Sequence, residues 1–392
     1  MKQCKQSRVA TFGVRVRCCS LLVPVLFAVL AAVSFGRVRA DGGAPNLAYV
    51  AGTQQGIGVI DVAQRKVAQQ FSIAGNPSMI LLSFDGRLLY VTQPGAGRVA
   101  ALAAKTGQMI CSAAYPGHPA LLALSSDGTV LYAAGLNETT ILALDAQTCA
   151  IQRSIQAPEP ISWLAVAGIT TTSGFQTQLW VAGTGAVSIL NQQGQVLDRV
   201  PVPGGPRFLC LPGNLTAYVA TRQGSIVAVD MLTHQVFATL LKGGSFGSMD
   251  FDAVTGEIFV PDQQHNQVDV IFPVLNGAGT LPHEPERVIP VGGSPRAIAV
   301  TNDGAFGFVA LSGGKVDMLD IPGRQLIATI AVGGQPGFII TGPFPPQDVP
   351  IPQSPQPVTS PLAIILPVSV AAVLLLGALV VVFFFLRRRN RT

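Results

Sequence analysis

From Asn46 to Thr341 one pattern of apolar and polar positions recurs about every 40 residues. An apolar run leads into a turn that often holds Asp-Gly, and a second apolar run then carries one aromatic ring. A glycine-containing loop, a run of the form VxVxD and a last half-polar run ending near Gly-x-Pro complete the unit. The third copy shows it whole: LLALS (121–125), Asp127-Gly128, LYAA (131–134), ILALD (141–145), then a run through Ile155 to Pro158. Asp-Gly tolerates positive φ, so Asp85-Gly86, Asp127-Gly128 and Asp303-Gly304 predict two-residue hairpin turns.

The aromatic second run counts the copies: Tyr49, Tyr90, Tyr132, Trp180, Tyr218, Phe259 and Phe308. Pro77, Pro119, Pro160, Pro206, Pro295 and Pro336 close six units, and the one that lacks its proline ends near Phe246. Seven units of four short strands predict an all-β chain folded as a seven-bladed β-propeller of four-stranded blades. Asn46 leads straight into LAYV, so the first unit has no opening strand, whereas GFIITG (337–342) is an opening strand with no unit after it. The C-terminal strand is therefore expected to become the innermost strand of blade one, closing the ring and removing an exposed sheet edge. Two units carry insertions, at 168–178 in the fourth and 274–287 in the sixth. Both fall on connections expected on the face opposite the channel mouth, where extra chain suggests a contact surface.

LLYVTQPGAGRVAAL (88–102), AYVATRQGSIVAVD (217–230) and the recurring Gly-x-Pro junctions resemble the YVTN-type repeats of surface-layer and envelope propellers. The resemblance covers about 46–341. It departs at Ala133-Ala134, where the family would have Val-Thr, and at the two insertions. It implies the propeller fold and an envelope location, and it leaves the ligand open.

The two ends read as addresses. Residues 1–40 hold Lys2, Lys5, Arg8, Arg15 and Arg17, an apolar run over 20–35, and Val38-Arg39-Ala40, which predicts a secretory signal peptide cut after Ala40. Retention as an uncleaved anchor is the alternative, since Arg37 and Arg39 lie close to the cut. Cys18 and Cys19 precede the apolar run and do not form a lipoprotein box. Residues 41–341 are assigned to the propeller and 342–361, with eight prolines, to an extended stalk. Residues 362–386 are apolar, and as a helix they would reach about 37 Å against a hydrocarbon core of about 30 Å. Arg387, Arg388, Arg389 and Arg391 follow within 387–392 and predict a basic cytoplasmic tail. The expectation is a single-pass protein of the cell membrane with its propeller on the extracytoplasmic side.

Charge bears on partners once it is placed. Of 25 Lys and Arg, seven lie in 1–40 and four in 387–392, leaving 14 against all 20 Asp and Glu between them. The propeller and stalk are thus net acidic, which argues against nucleic acid as a partner.

Loops joining second to third strands, and those joining blades, should share the channel-mouth face. His118, Glu159, Arg207, His265 and Arg296 are the candidate ligand-binding residues there, with Asn76, Ser245, Gln335, Gln263 and Gln264 nearby. Arg207 and Arg296 each follow a junction proline and are placed to receive a carboxylate or phosphate. No catalytic residue, cofactor site or metal site is assigned: the four His fall in different units without ligand spacing. The opening strands are almost wholly apolar, broken by Asp250 and Asp252. Cys111 and Cys149 fall on predicted outer strands of consecutive blades, so a disulfide between them is open, and Cys210 reads as a buried thiol. The reading is a non-enzymatic binding or scaffolding propeller for an envelope protein or glycan. A lactonase-type hydrolase working at the channel mouth is the alternative.

Overall fold

The computed structural model describes residues 46–171, 174–213, 215–276, 285–343 and 348–349. The expected signal peptide, most of the stalk, the apolar segment 362–386 and the basic tail lie outside the described residues. Among the described residues no helix is long and apolar enough to cross a membrane.

Seven antiparallel sheets of four strands make a β-propeller. Six blades are each built from four consecutive strands. Blade one joins Asn46–Thr53, Gly56–Asp61 and Lys66–Ser72 to the last strand, Phe338–Pro343. That last strand pairs Asn46 with Pro343 through to Ala51 with Phe338. Thr341 Oγ1 donates to Val300 O in the innermost strand of blade seven (2.9 Å), so the expected closure forms.

The burial patterns explain the repeat. Second and third strands are sandwiched between neighbouring blades and stay apolar along most of their length, as in Leu88–Gln93 and Thr140–Asp145. Outermost strands meet solvent on one face and present mainly one inward residue, such as Ala113 in Met109–Ala114 and Ile155 in Ile151–Gln156. The seven counted rings head the largest fully buried side chains: Trp180, Tyr49, Tyr90, Tyr132, Tyr218, Phe259 and Phe308. Each removes roughly 150–250 Å² from water, so together they form the main packing layer between blades.

The turns differ from the two-residue hairpins expected. Gly86 N donates to Ser83 O and Ser83 N to Leu88 O, which makes a four-residue connection. Only its glycine is left-handed, with φ 68° at Gly86, 73° at Gly128 and 67° at Gly304. The aspartate instead accepts from the hydroxyl two residues back: Ser83 to Asp85, Ser125 to Asp127 and Thr301 to Asp303. The working motif is therefore Ser/Thr-x-Asp-Gly, a side-chain-stapled turn. The Asp of VxVxD caps the next turn in the same manner. Asp145 accepts from Gln147 N and Thr148 N, and Asp230 from Leu232 N and Thr233 N.

Where the repeat lacks its proline, the blade is altered. The inner strand of blade six shrinks to Asp250–Phe251. Ser248 bridges in parallel to Ala297 of blade seven, with Ser248 N donating to Arg296 O and Ile298 N to Ser248 O. The insertion at 168–178 is a paired ribbon, in which Trp163–Thr171 runs against Gly174–Ala182. Phe175 near its tip is 65% exposed. The insertion after Ile271 is described up to Asn276, and Val274 is tied to blade five by Val274 N to the Tyr218 hydroxyl and Thr216 Oγ1 to Val274 O.

Asn46 and Pro343 are paired, so both ends of the propeller leave from the face that carries these insertions. Asp348, just beyond, meets Lys105 Nζ at 2.8 Å in a third-to-fourth turn of that face. The channel mouth opens on the opposite side.

Cys111 and Cys149 are joined by a disulfide with a Cα separation of 5.8 Å. Cys149 does not lie on an outer strand, as the pattern suggested. It occupies the left-handed slot four residues after Asp145 (φ 58°), a place shared by Arg65, His234 and Arg324 in other blades. The Cys210 thiol is free and buried, and burial pushes its pKa well up.

Candidate functional site

In four blades the second residue after the junction proline, near the start of the inner strand, lines the channel mouth. In this way Met79, Leu121, Phe208 and Phe338 reach one cavity of about 990 Å³, joined by Trp163 from blade four. Trp163 meets Phe208 edge-on, with centroids 5.0 Å apart, and Phe338 at 6.0 Å. Five blades thus contribute one apolar floor. Met79 and Phe338, from opposite ends of the propeller sequence, line the same cavity because the last strand closes the ring.

Two guanidinium groups stand over this floor. Arg207 opens the inner strand of blade five, and its guanidinium lies on the Phe208 ring, 4.9 Å from the centroid. Arg222, in the adjoining second-to-third turn, is anchored by its N–H to Gly205 O at 2.8 Å. Gly205 has φ 69°, and a side chain there would meet Thr184 O at 2.7 Å, so glycine is required at this point. Burial, then the neighbouring Arg222 charge, work against the charged form of Arg207 and lower its pKa. Arg207 and Arg222 have no acidic partner among the described residues, and no acidic side chain of those residues lines the cavity.

The other sequence candidates have different surroundings. Glu159 accepts from Thr184 N, Thr184 Oγ1 and Gly185 N and pairs with Arg199, fastening a turn of blade four. Its hydrogen bonds and the Arg199 charge outweigh burial and hold its carboxyl below the usual range. His118 Nδ1 contacts Pro94 O at 3.1 Å, and its backbone N–H donates to Glu138. His265 Nδ1 sits 2.5 Å from Asp262, which raises the imidazole pKa by hydrogen bond and charge. Arg296 Nη2 donates to Gln335 Oε1 at 3.4 Å, and Gln335 in turn lines the mouth. Of the five, Arg207 lines the cavity and Arg296 reaches it through Gln335.

Trp163, Phe208, Phe338 and Arg222 were missed by sequence reasoning. The signal for two of them is a large apolar residue two places after the junction proline, as at Phe208 and Phe338. Arg222 carries no such mark, because only the fold sets its turn beside Gly205.

The other half of the channel holds a cavity of about 300 Å³ lined by Asp250, Thr301 and Thr341 among others. Asp250 Oδ2 accepts from Val300 N at 2.8 Å. The half-buried residue lines this cavity, and burial of its carboxyl pushes the pKa up to about 6. Asp252 is buried and caps the turn at Val254 N and Thr255. Because the folded state holds the Asp250 proton more tightly than the unfolded chain, this group lowers stability as pH rises from about 4 to about 6. Asp250→Asn keeps an oxygen for Val300 N and loses the charge. Its melting temperature is expected to match the parent at pH 3.5 and exceed it at pH 7.5, by at most about 3 kcal/mol in stability. Equal melts at both pH values would show that the carboxyl is solvated.

No protein-family model and no characterised protein sequence matches the chain. Solved structures match in three dimensions. Hydrazine synthase of Kuenenia stuttgartiensis superposes with a TM-score of 0.58 at 16% identity, over 69% of this chain and 90% of that one. Apo AztD of Citrobacter koseri gives 0.58 at 14%, over 76% and 97%. The dihydro-heme d1 dehydrogenase NirN in complex with DHE gives 0.55 at 13%, over 76% and 75%. The likeness is one of fold. These propellers include enzymes, so shape alone takes no side on catalysis, and the YVTN-type likeness of the repeats stays a resemblance.

Proposed function

We propose that the chain is a membrane-tethered, extracytoplasmic recognition propeller that binds or scaffolds an envelope protein or glycan at its channel mouth. The observation that carries this reading is the mouth cavity, with its aromatic floor and two arginines that have no acidic partner among the described residues. Sequence supplies the tether: an N-terminal secretory pattern and a C-terminal apolar segment followed by four arginines. Both propeller ends leave from the insertion face, so a tether there turns the mouth away from the membrane and towards partners. The ribbon at 168–178 then lies on the membrane side.

Hydrolysis of the lactonase type needs an acid and a base, or a metal, converging on the reacting carbonyl. The described mouth lining has no acidic or imidazole side chain, and Asp250 stands in the other half of the channel. No cluster of three or more His, Cys, Asp or Glu placed to hold a metal occurs among the described residues. These observations favour recognition over hydrolysis.

Protease shaving of intact cells, followed by capture of envelope components on the full-length chain, tests the proposal. The expected result is release of a compact fragment of about 300 residues and retention of a specific envelope component by the full chain. Protection of the propeller on cells whose other surface proteins are cleaved would overturn it.

A further inference from the structure

The mouth makes three separate demands on a ligand. Arg207 and Arg222 are like charges lining one cavity, and an anion bound between them turns their mutual repulsion into two attractions. The floor of Trp163, Phe208 and Phe338 favours a flat apolar face. Around the rim, the amides of Gln54, Asn76 and Asn137 line the same cavity and are engaged by no other side chain among the described residues. Asn76 and Asn137 sit there in left-handed backbone, φ 55° and 59°.

Each ordinary ligand class leaves one demand unmet. A fatty or aromatic acid would cover the amides without replacing their water. A neutral sugar would leave the two guanidinium charges without a counter-charge. Inorganic phosphate would leave the aromatic floor empty. A carboxylate-bearing sugar meets all three, since it offers an anion, a ring face and a girdle of hydroxyls.

We propose that the channel mouth binds an acidic saccharide of the uronic acid type, its carboxylate held by Arg207 and Arg222, its ring on the Phe208–Trp163 floor and its hydroxyls on the rim amides. This rests on the recognition reading and narrows it to a chemical class. The mouth opens on the face opposite both ends of the propeller, Asn46 and Pro343, so the end of a longer acidic glycan can enter from that face.

The test is calorimetric titration of the full-length chain in detergent with a galacturonate trisaccharide, its methyl ester and inorganic phosphate. The trisaccharide is expected to bind, the ester to bind about tenfold or more weakly, and phosphate weaker still. Arg207→Gln and Arg222→Gln should each cost about tenfold for the acid and little for the ester. Raising salt from 50 to 500 mM should narrow the gap between acid and ester. Equal binding of acid and ester by the unaltered chain, phosphate binding as tight as the trisaccharide, or no binding of any probe would overturn the proposal. The ester comparison needs no substitution, so it stands even if an arginine variant folds poorly. A chain that retains an envelope component but ignores the trisaccharide would refute this ligand class and leave recognition standing. Protection from shaving would refute the surface reading, whatever the titration shows.

Discussion

Deleting residues 337–342 from the full chain is expected to lower its melting temperature by about 6 °C and to make it aggregate in a concentration-dependent way. The deletion removes the strand that pairs with Asn46 to Ala51, together with buried Ile339 and half-buried Phe338 and Ile340. At roughly 1.5–3 kcal/mol for each fully buried large apolar side chain, discounted for partial exposure, the loss is about 4 kcal/mol. For a domain of about 300 residues that corresponds to about 6 °C. The second consequence is separate from energy. The strand Asn46–Thr53 becomes a sheet edge whose unpaired N–H and C=O groups are open to other chains, which is the usual route to edge-to-edge association. Scanning calorimetry and light scattering read the two effects independently. An unchanged melt with no scattering would show that the ring does not depend on this closure.

Breaking the Cys111–Cys149 disulfide is expected to cost a similar amount. The two residues are 38 apart in sequence, and the chain-entropy relation for a loop of that size gives about 4 kcal/mol. The bond links the outermost strand of blade two to a turn of blade three, so it resists the splaying of two adjacent blades at the rim, where packing is thinnest. Melts with and without reductant should differ by about 6 °C. Replacement of both cysteines should reproduce the reduced value, and reductant should then have no further effect. Counting thiols after denaturation without reductant gives a direct check. One reactive thiol, Cys210, is expected after cleavage at Ala40, and four if Cys4, Cys18 and Cys19 remain. Three or six would mean that the bond is absent.

Some of the mouth could be read from the chain before folding and some could not. Arg207 was legible because it follows a junction proline, a position that recurs and therefore has a predictable place. Glu159 and His118 occupy the same junctions, and sequence could not separate their roles from that of Arg207. Glu159 meets the N–H groups of Thr184 and Gly185, and His118 meets the Pro94 carbonyl. These partners come from loops whose approach is set by blade packing. Asp250 lies on a short strand and Asp252 just beyond it, and only the fold distinguishes the first, which lines the channel, from the second, which caps a turn.

The sequence by itself determined the number of blades, the strand order within each, the buried ring at each centre and the strand that closes the circle. All of these rest on local periods: apolar runs of strand length, one aromatic per unit, and turns whose glycine needs a left-handed backbone. Tertiary structure alone decided the face on which both ends emerge together, the bond between Cys111 and Cys149, and the convergence of Met79, Leu121, Trp163, Phe208 and Phe338 beneath Arg207 and Arg222. The physical reason is closure. A repeat specifies each blade from within, but which side chains meet at the axis depends on how many blades share it and on how the last is joined to the first.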